Sequence, residues 1–350
     1  MNEQYEMEIF SPFISFCDTA LLKTKTTASI VQSIMYQIIH KKMTSNPRKG
    51  LVSKITYKFL KKTYEFIAAT KNPLVNFQYG ERTFKIPFSH DLPFILNAYP
   101  RYASNLGRIA KYVQERYKDL TFIDIGANIG DSVFILKAKD EFPVLCIEGD
   151  DYFFNILQDN VSQFSNVFSE KAYVGQETQE MKKEALRENG TAYLVSSTKN
   201  IPVKNLSSLL QEYPSFSLSK MLKIDTDGFD GFIIRGAIDF LKIAKPIIFF
   251  EYDPYLLSQQ SDDGLSIFKS LREIGYRAII IYDNFGEYMF SLNLEQTQIL
   301  EEIHCYLLGR NNLFYADICA FHIEDFDLFE KIRALELDFF EKLNISKTSI

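Results

Sequence analysis

The chain of 350 residues is expected to adopt an α/β fold: an open, doubly wound, Rossmann-like sheet preceded by a helical appendage. Three observations predict this. Short apolar runs alternate with stretches of helical periodicity, the pattern of a parallel sheet with crossover helices. Four of those runs end in an acid: Asp124, Glu148, Asp225 and Glu251. A glycine-rich turn, Gly126-Ala127-Asn128-Ile129-Gly130, follows the first run, and Glu148 closes the second some twenty residues on, the layout of a βαβ unit that holds a nucleoside.

Residues 1–72 read as the helical appendage. Ile30 to Ile39 and Val52 to Leu60 carry apolar residues at three and four spacing, with a break at Ser45–Gly50. Residues 73–350 are assigned to the second domain. It opens with a strand pattern from Val75 to Pro87, turning at Gly80-Glu81. A loop bearing His90 between Pro87 and Pro93 leads to a helix through Leu106, Ile109 and Val113. Strands are expected at 120–125, 143–148, 166–173, 221–225, 246–251, 277–282 and 314–321. Helices are expected at 130–138, 152–162, 205–212, 264–274 and 324–343, with a further one ending near Gly236. Residues 175–203 are polar and without clear periodicity, either a hairpin or a loop.

Composition narrows the partners. From Lys23 to Lys71 there are eleven Lys/Arg and one acid, a balance of +10, so the remainder sums to −16. An acidic body disfavours nucleic acid, whose binding draws on phosphate neutralisation. The basic 23–71 segment is compatible with peripheral contact to an anionic membrane or substrate, or with a solvated helical face. No apolar stretch approaches the ~20 residues of a membrane span, and the acidic N-terminus lacks a signal-peptide layout. Four scattered cysteines without a Cys-x-x-Cys pair fit a reducing, cytoplasmic setting, and Cys146 reads as a core residue.

The glycine spacing selects the ligand. A dinucleotide fingerprint requires Gly-x-Gly-x-x-Gly, whereas Asn128 stands at its second glycine. Asp124 beside the turn repels a diphosphate and favours a cation such as the sulfonium of S-adenosylmethionine. Gly126, Ala127 and Asn128 would pass that cofactor by backbone approach, and Glu148 would hold its ribose. The turn Asp225-Thr-Asp227-Gly-Phe-Asp230 has the composition of a calcium loop without its twelve-residue ligand pattern, which excludes an EF-hand. No metal ligand is assigned, although Asp225 and Asp227 leave a diol-orienting divalent ion open. Asp225, Asp227 and His90 are the candidates for a general base.

Phe122-Ile-Asp-Ile-Gly-Ala-Asn-Ile-Gly-Asp131, Leu222-Lys-Ile-Asp-Thr-Asp-Gly-Phe-Asp230 and Ile248-Phe-Phe-Glu251 together resemble the FkbM family of S-adenosylmethionine-dependent methyltransferases. Pro87-Phe-Ser-His-Asp-Leu-Pro93 is similar to a segment of bacterial members, and the resemblance spans about 85–323. The family more often has Glu where this chain has Asp227 and Asp230. The resemblance implies a class I methyltransferase sheet of seven strands, the last antiparallel. It also implies O-methylation of a small-molecule or glycan acceptor, often a sugar hydroxyl of a bacterial surface glycan or natural product. By that match Asp124, Gly126, Asn128 and Asp131 line the donor, with Gly130 completing the turn, and Glu148 binds ribose. The competing readings are a non-catalytic nucleoside-binding protein and a nicotinamide- or nucleotide-sugar-using enzyme.

Overall fold

The computed structural model describes residues 25–44, 51–136, 142–188, 190–311 and 314–348. Two compact units make up the chain, Met1–Ala98 and Tyr99–Ile350. The break therefore lies well beyond the expected boundary at 72/73. The reason is local: the strands that follow residue 72 are bound to the helices before it.

In the first unit, α1 (Lys25–Thr44) and α2 (Leu51–Thr70) precede β1 (Leu74–Tyr79), β2 (Arg82–Pro87) and α3 (Leu92–Ala98). The expected break at Ser45–Gly50 and Cys17 fall outside the described residues. β1 and β2 form an antiparallel hairpin that turns at Gly80, where φ is +57°. The Gln37 side chain pairs with the backbone of Asn76, accepting its N–H at 2.9 Å and donating to its carbonyl. The Tyr64 hydroxyl donates to the carbonyl of Phe88 at 2.6 Å. His40, 2 % exposed, packs edge-on against Phe88, and burial lowers its pKa to about 4, so it is neutral there.

The second unit begins with α4 (Ser104–Arg116), β3 (Phe122–Ile125), α5 (Asp131–Leu136), β4 (Val144–Glu148), α6 (Asp151–Val161), β5 (Val167–Lys171) and β6 (Tyr173–Val174). Next come β7 (Gln179–Glu188), β8 (Thr191–Lys204), α7 (Leu206–Glu212), β9 (Met221–Ile224), α8 (Asp230–Gly236), α9 (Ile238–Ala244) and β10 (Ile247–Tyr252). The chain finishes with α10 (Pro254–Gln259), α11 (Leu265–Glu273), β11 (Tyr276–Asp283), β12 (Tyr288–Asn293), α12 (Thr297–Leu308), β13 (Ala316–His322) and α13 (Phe326–Thr348). The expected helix 130–138 is described only to Leu136.

The main sheet has the order β12-β11-β13-β10-β9-β3-β4-β5. β10, β9, β3, β4 and β5 pair in parallel, and β13 runs antiparallel to both its neighbours. The seven expected strands are present with β13 reversed, but the sheet has eight. β12 is the return of β11 around Asp283–Glu287, where the Asp283 carboxylate accepts the N–H groups of Phe285 and Glu287, each at 2.9 Å. β12 is a half-exposed edge whose apolar run, Tyr288-Met-Phe290, is only three residues long, too short to announce a strand. The polar 175–203 stretch resolves into the hairpin β7–β8, which joins β6 in a separate three-stranded sheet.

Alternation along the strands sends successive side chains to opposite faces. Ile123, Ile125, Leu145, Ile147, Leu222, Ile224, Ile248 and Phe250 pack with Leu209, Ile233, Leu241 and Leu271 on one face. Phe122, Val144, Cys146, Met221, Ile247 and Phe249 pack with Leu106, Ile109, Val113 and Leu157 on the other. That parity decides where the polar residues go. Asp124, Glu148, Lys223, Asp225, Glu251 and Asp317 all share the register of the second face, so one side of the sheet carries these six charged residues.

Candidate active site at the strand ends

The loops after β3 and β9 meet where the strand order reverses. Asp225 N–H donates to the Ile125 carbonyl at 3.0 Å, while Gly126 and Ala127 donate to the Ile147 carbonyl at 2.9 and 3.1 Å. Gly126 sits at φ +79°, and a Cβ on it would lie 1.8 Å from the Asp225 carbonyl oxygen, so no side chain fits. Asn128 and Asp227 are left-handed at φ +47° and +49°. Two such non-glycine residues in facing loops mark backbone strain of the kind that collects at functional sites.

Glu148 is 9 % exposed at the tip of β4. Its Oε2 accepts the Asn128 N–H at 2.8 Å and its Oε1 accepts the Asp150 N–H at 2.7 Å. Asp150 takes the helix-capping role itself, accepting from Tyr152 and Phe153 at the start of α6. Glu148 is thereby spared capping and anchors the glycine turn. A carboxylate offers about four acceptor positions, so two stay open. Burial raises the Glu148 pKa to about 7 against the pull of the backbone donors of Asp150 and Asn128.

Sequence reasoning assigned no role to Lys223, which organises the centre. Its Nζ lies 3.2 Å from Asp124 Oδ1 and 3.0 Å from Asp225 Oδ2. Burial disfavours the lysine's charge, yet Asp124, Asp225 and Asp131 outweigh it and hold the pKa above the usual range. Asp124 has no exposed surface, so its carboxylate is in contact with Lys223 and not with the open strand-end surface. The available signal was register: Asp124 and Lys223 are paired neighbours on β3 and β9, one basic and one acidic residue inside otherwise apolar strands.

Asp225 is 48 % exposed but already engaged. Burial pushes its carboxyl up, and Lys223 together with a hydrogen bond from Glu251 pulls it net below the usual range. Glu251 is pushed well up by burial and by Asp225, Asp227 and Asp230, so it is the protonated partner that donates to Asp225. Asp227 differs: its Oδ2 accepts the Thr191 hydroxyl at 2.7 Å, and burial and Asp225 raise its pKa to about 6. Asp230 at the start of α8 accepts from Thr226 at 3.0 Å, and burial and Asp225 lift it to about 7. Asp131, opening α5, is lifted by burial to about 6.

Asp317, opposite Glu251 in the β10–β13 register, is a strand-end acid that sequence reasoning missed, although an Asp inside Phe314–Phe321 was a legible signal. Burial and Asp225 raise it to about 8. His90 lies in the first unit, where its N–H donates to the Pro87 carbonyl and its Nδ1 accepts the Leu92 N–H at 3.1 Å, a turn-forming role. Among the described residues no group of three or more His, Cys, Asp or Glu side chains is arranged to hold a metal ion.

The raised carboxyls set a pH dependence. Asp131, Asp227, Glu148, Asp230 and Asp317 bind protons more tightly folded than unfolded, so the stability they contribute is complete below their unfolded values near 4 and is lost as pH rises from there through about 6 to 8. Asp225 has the opposite sign, but its window lies below pH 4. A thermal melt series is expected to show Tm falling by roughly 5 °C or more between pH 5 and 8. A flat or rising profile would contradict the buried-acid geometry.

A doubly wound sheet in this order, with a reversed β13 and a glycine turn facing a buried Glu, defines the class I methyltransferase fold. Residues 124–278 match the model of the methyltransferase FkbM domain. No curated protein matches the chain. Among solved structures, methyltransferase FkbM from Methylobacillus flagellatus KT is similar at 14 % identity and a TM-score of 0.34. The alignment covers 72 % of this chain and 56 % of that one. The O-methyltransferase from Bacillus cereus, solved with SAH, is similar at 10 % identity and a TM-score of 0.37, over 75 % and 97 %.

No described helix is long and apolar enough to cross a membrane.

Proposed function

We propose that this protein is an S-adenosylmethionine-dependent O-methyltransferase whose acceptor is a neutral sugar hydroxyl, with Asp227 as the general base. The observation that carries the reading is the state of the Asp227 carboxylate. Its Oδ2 is held by Thr191, whereas its Oδ1 accepts no hydrogen bond among the described residues, and its pKa near 6 leaves it ionised at neutral pH. Asp225, by contrast, is occupied by Lys223 and Glu251.

The residues present suit the donor. Gly126 leaves the loop backbone bare, and Glu148 retains two acceptor positions for ribose hydroxyls. The bound donor supplies an electrophilic methyl group on a sulfonium. What this chain contributes is position and a proton acceptor: the loops after β3 and β9 hold the reactants in line, and Asp227 takes the acceptor's proton as its oxygen bonds carbon. The ionised Asp225 and Asp227 disfavour phosphorylated acceptors, while Glu251 and Asp317, held protonated, suit uncharged hydroxyl groups, which accounts for the sugar assignment.

The test is release of S-adenosylhomocysteine from S-adenosylmethionine in the presence of methyl glycosides of common hexoses and deoxyhexoses, set against hexose phosphates. Turnover with a neutral glycoside, lost in Asp227→Asn by about 10²-fold or more, is expected. Turnover confined to phosphorylated sugars, or unchanged in Asp227→Asn, would contradict the acceptor or the base assignment respectively.

A further inference from the structure

The hairpin β7–β8 contributes little to the core: most of its side chains are exposed or half-buried, and only Val203 near its end is fully buried. Its polar contacts are concentrated near the tip and reach three loops at the strand ends. The Gly190 carbonyl accepts from Asn128 Nδ2 at 2.9 Å, in the turn after β3. Arg187 Nε lies 2.8 and 3.0 Å from the two carboxylate oxygens of Asp150, after β4. Thr191 Oγ1 donates to Asp227 Oδ2 at 2.7 Å, after β9. Nearer the stem, Lys183 donates to Gln260 at 2.7 Å, and Gln260 donates back to the Leu194 carbonyl at 3.3 Å, tying the hairpin to the end of α10.

These are the loops that carry the glycine turn, the neighbour of Glu148, and Asp227. We propose that the hairpin is a working part of the methyl-transfer site and that Thr191 is a positioning residue for Asp227. The inference rests on the reading of Asp227 as general base. A carboxylate held at one oxygen, on a backbone fixed at φ +49°, keeps its other oxygen in a constant direction. Without the Thr191 hydroxyl both oxygens rotate, and the like charges nearby decide where they point.

Those neighbours come from every side. Asp225 and Lys223 lie at the end of β9, Asp230 at the start of α8, Glu251 and Asp253 at the end of β10, and Tyr193 on β8 itself. Four of the six are further Asp or Glu residues. Thr191 is the hydrogen-bond donor that offsets them at Oδ2.

The deciding experiment uses the full chain labelled with ¹³C-carboxyl aspartate, with the Asp227 resonance assigned by its loss in Asp227→Asn. In the parent protein the resonance is expected to titrate near pH 6, in Thr191→Val it moves upward, and in Thr191→Ser it returns to the parent value. Thr191→Ala removes the same hydroxyl where valine disturbs the hairpin. On the methyl glycoside that turns over best, kcat in Thr191→Val falls about ten- to hundredfold with KM within about twofold. A midpoint identical in Thr191→Val, Thr191→Ala and parent would overturn the proposal. S-adenosylhomocysteine affinity, measured on the same samples, reports separately on the donor assignment: its absence in every variant sinks that reading whatever Asp227 does.

Discussion

Replacing Lys223 by methionine is expected to lower the stability of the Tyr99–Ile350 unit by about 3–5 kcal/mol, the cost of leaving a buried charge without its partner. The lysine is 7 % exposed and Asp124 not at all, so water cannot take over when the ammonium is gone. Methionine preserves most of the stem volume, which separates the charge effect from a cavity. Asp124 then either stays ionised in an apolar layer or takes up a proton, and both cost free energy at neutral pH. Pairing the change with Asp124→Asn should recover a large part of the loss, because the stranded charge is removed with its counter-ion. Urea titrations of the parent, both single variants and the double variant measure this directly. A loss below about 1 kcal/mol in Lys223→Met would show that the pair is solvated and not the electrostatic centre of the site.

Glu148→Ala is expected to weaken S-adenosylhomocysteine binding by about 10²-fold or more, the equivalent of two charge-assisted hydrogen bonds. Two effects act together. The ribose hydroxyls lose their acceptor, and the N–H groups of Asn128 and Asp150 lose the carboxylate that holds the glycine turn in its left-handed course. Glu148→Gln keeps one amide oxygen and should fall between parent and alanine. Because burial raises Glu148 to about 7, the parent itself should bind more tightly as pH rises through 7, losing about tenfold at pH 6 relative to its plateau. Isothermal titration at pH 6, 7 and 8 reads both expectations. Affinity that is independent of pH and of Glu148 would remove this residue from the donor site and, with it, the main support for a nucleoside ligand.

The site was legible to the extent that its residues interrupt apolar runs. Asp124, Glu148, Asp225 and Glu251 stand out because an acid at the end of a buried strand has no packing explanation. The glycines of the first turn stand out because Asn128 breaks the dinucleotide spacing. Lys223 and Asp317 interrupt apolar runs equally, yet their meaning depends on which strands are neighbours, and strand order is not written in local sequence. Thr191 gave no signal at all: it belongs to a polar hairpin whose two faces carry no alternation, and it meets Asp227 across 36 positions of chain. His90 was legible for a different reason. A histidine between two prolines draws the eye, and its Nδ1 holds a turn.

The sequence by itself determined the alternation of strands and helices, the glycine turn with its facing Glu148, and the parity that sends the strand-end charges to one face, because each depends on periodicity and spacing along a continuous stretch. The tertiary structure alone decided which charges neutralise one another, leaving Asp225 paired and one oxygen of Asp227 open, and brought Thr191 to that carboxylate. It also decided that the chain parts between Ala98 and Tyr99 and that β12 adds an eighth strand. The physical reason is common to all of these. Pairing energies between charges and between strand edges depend on distances across the fold, and such distances are set only once the sheet has chosen its order.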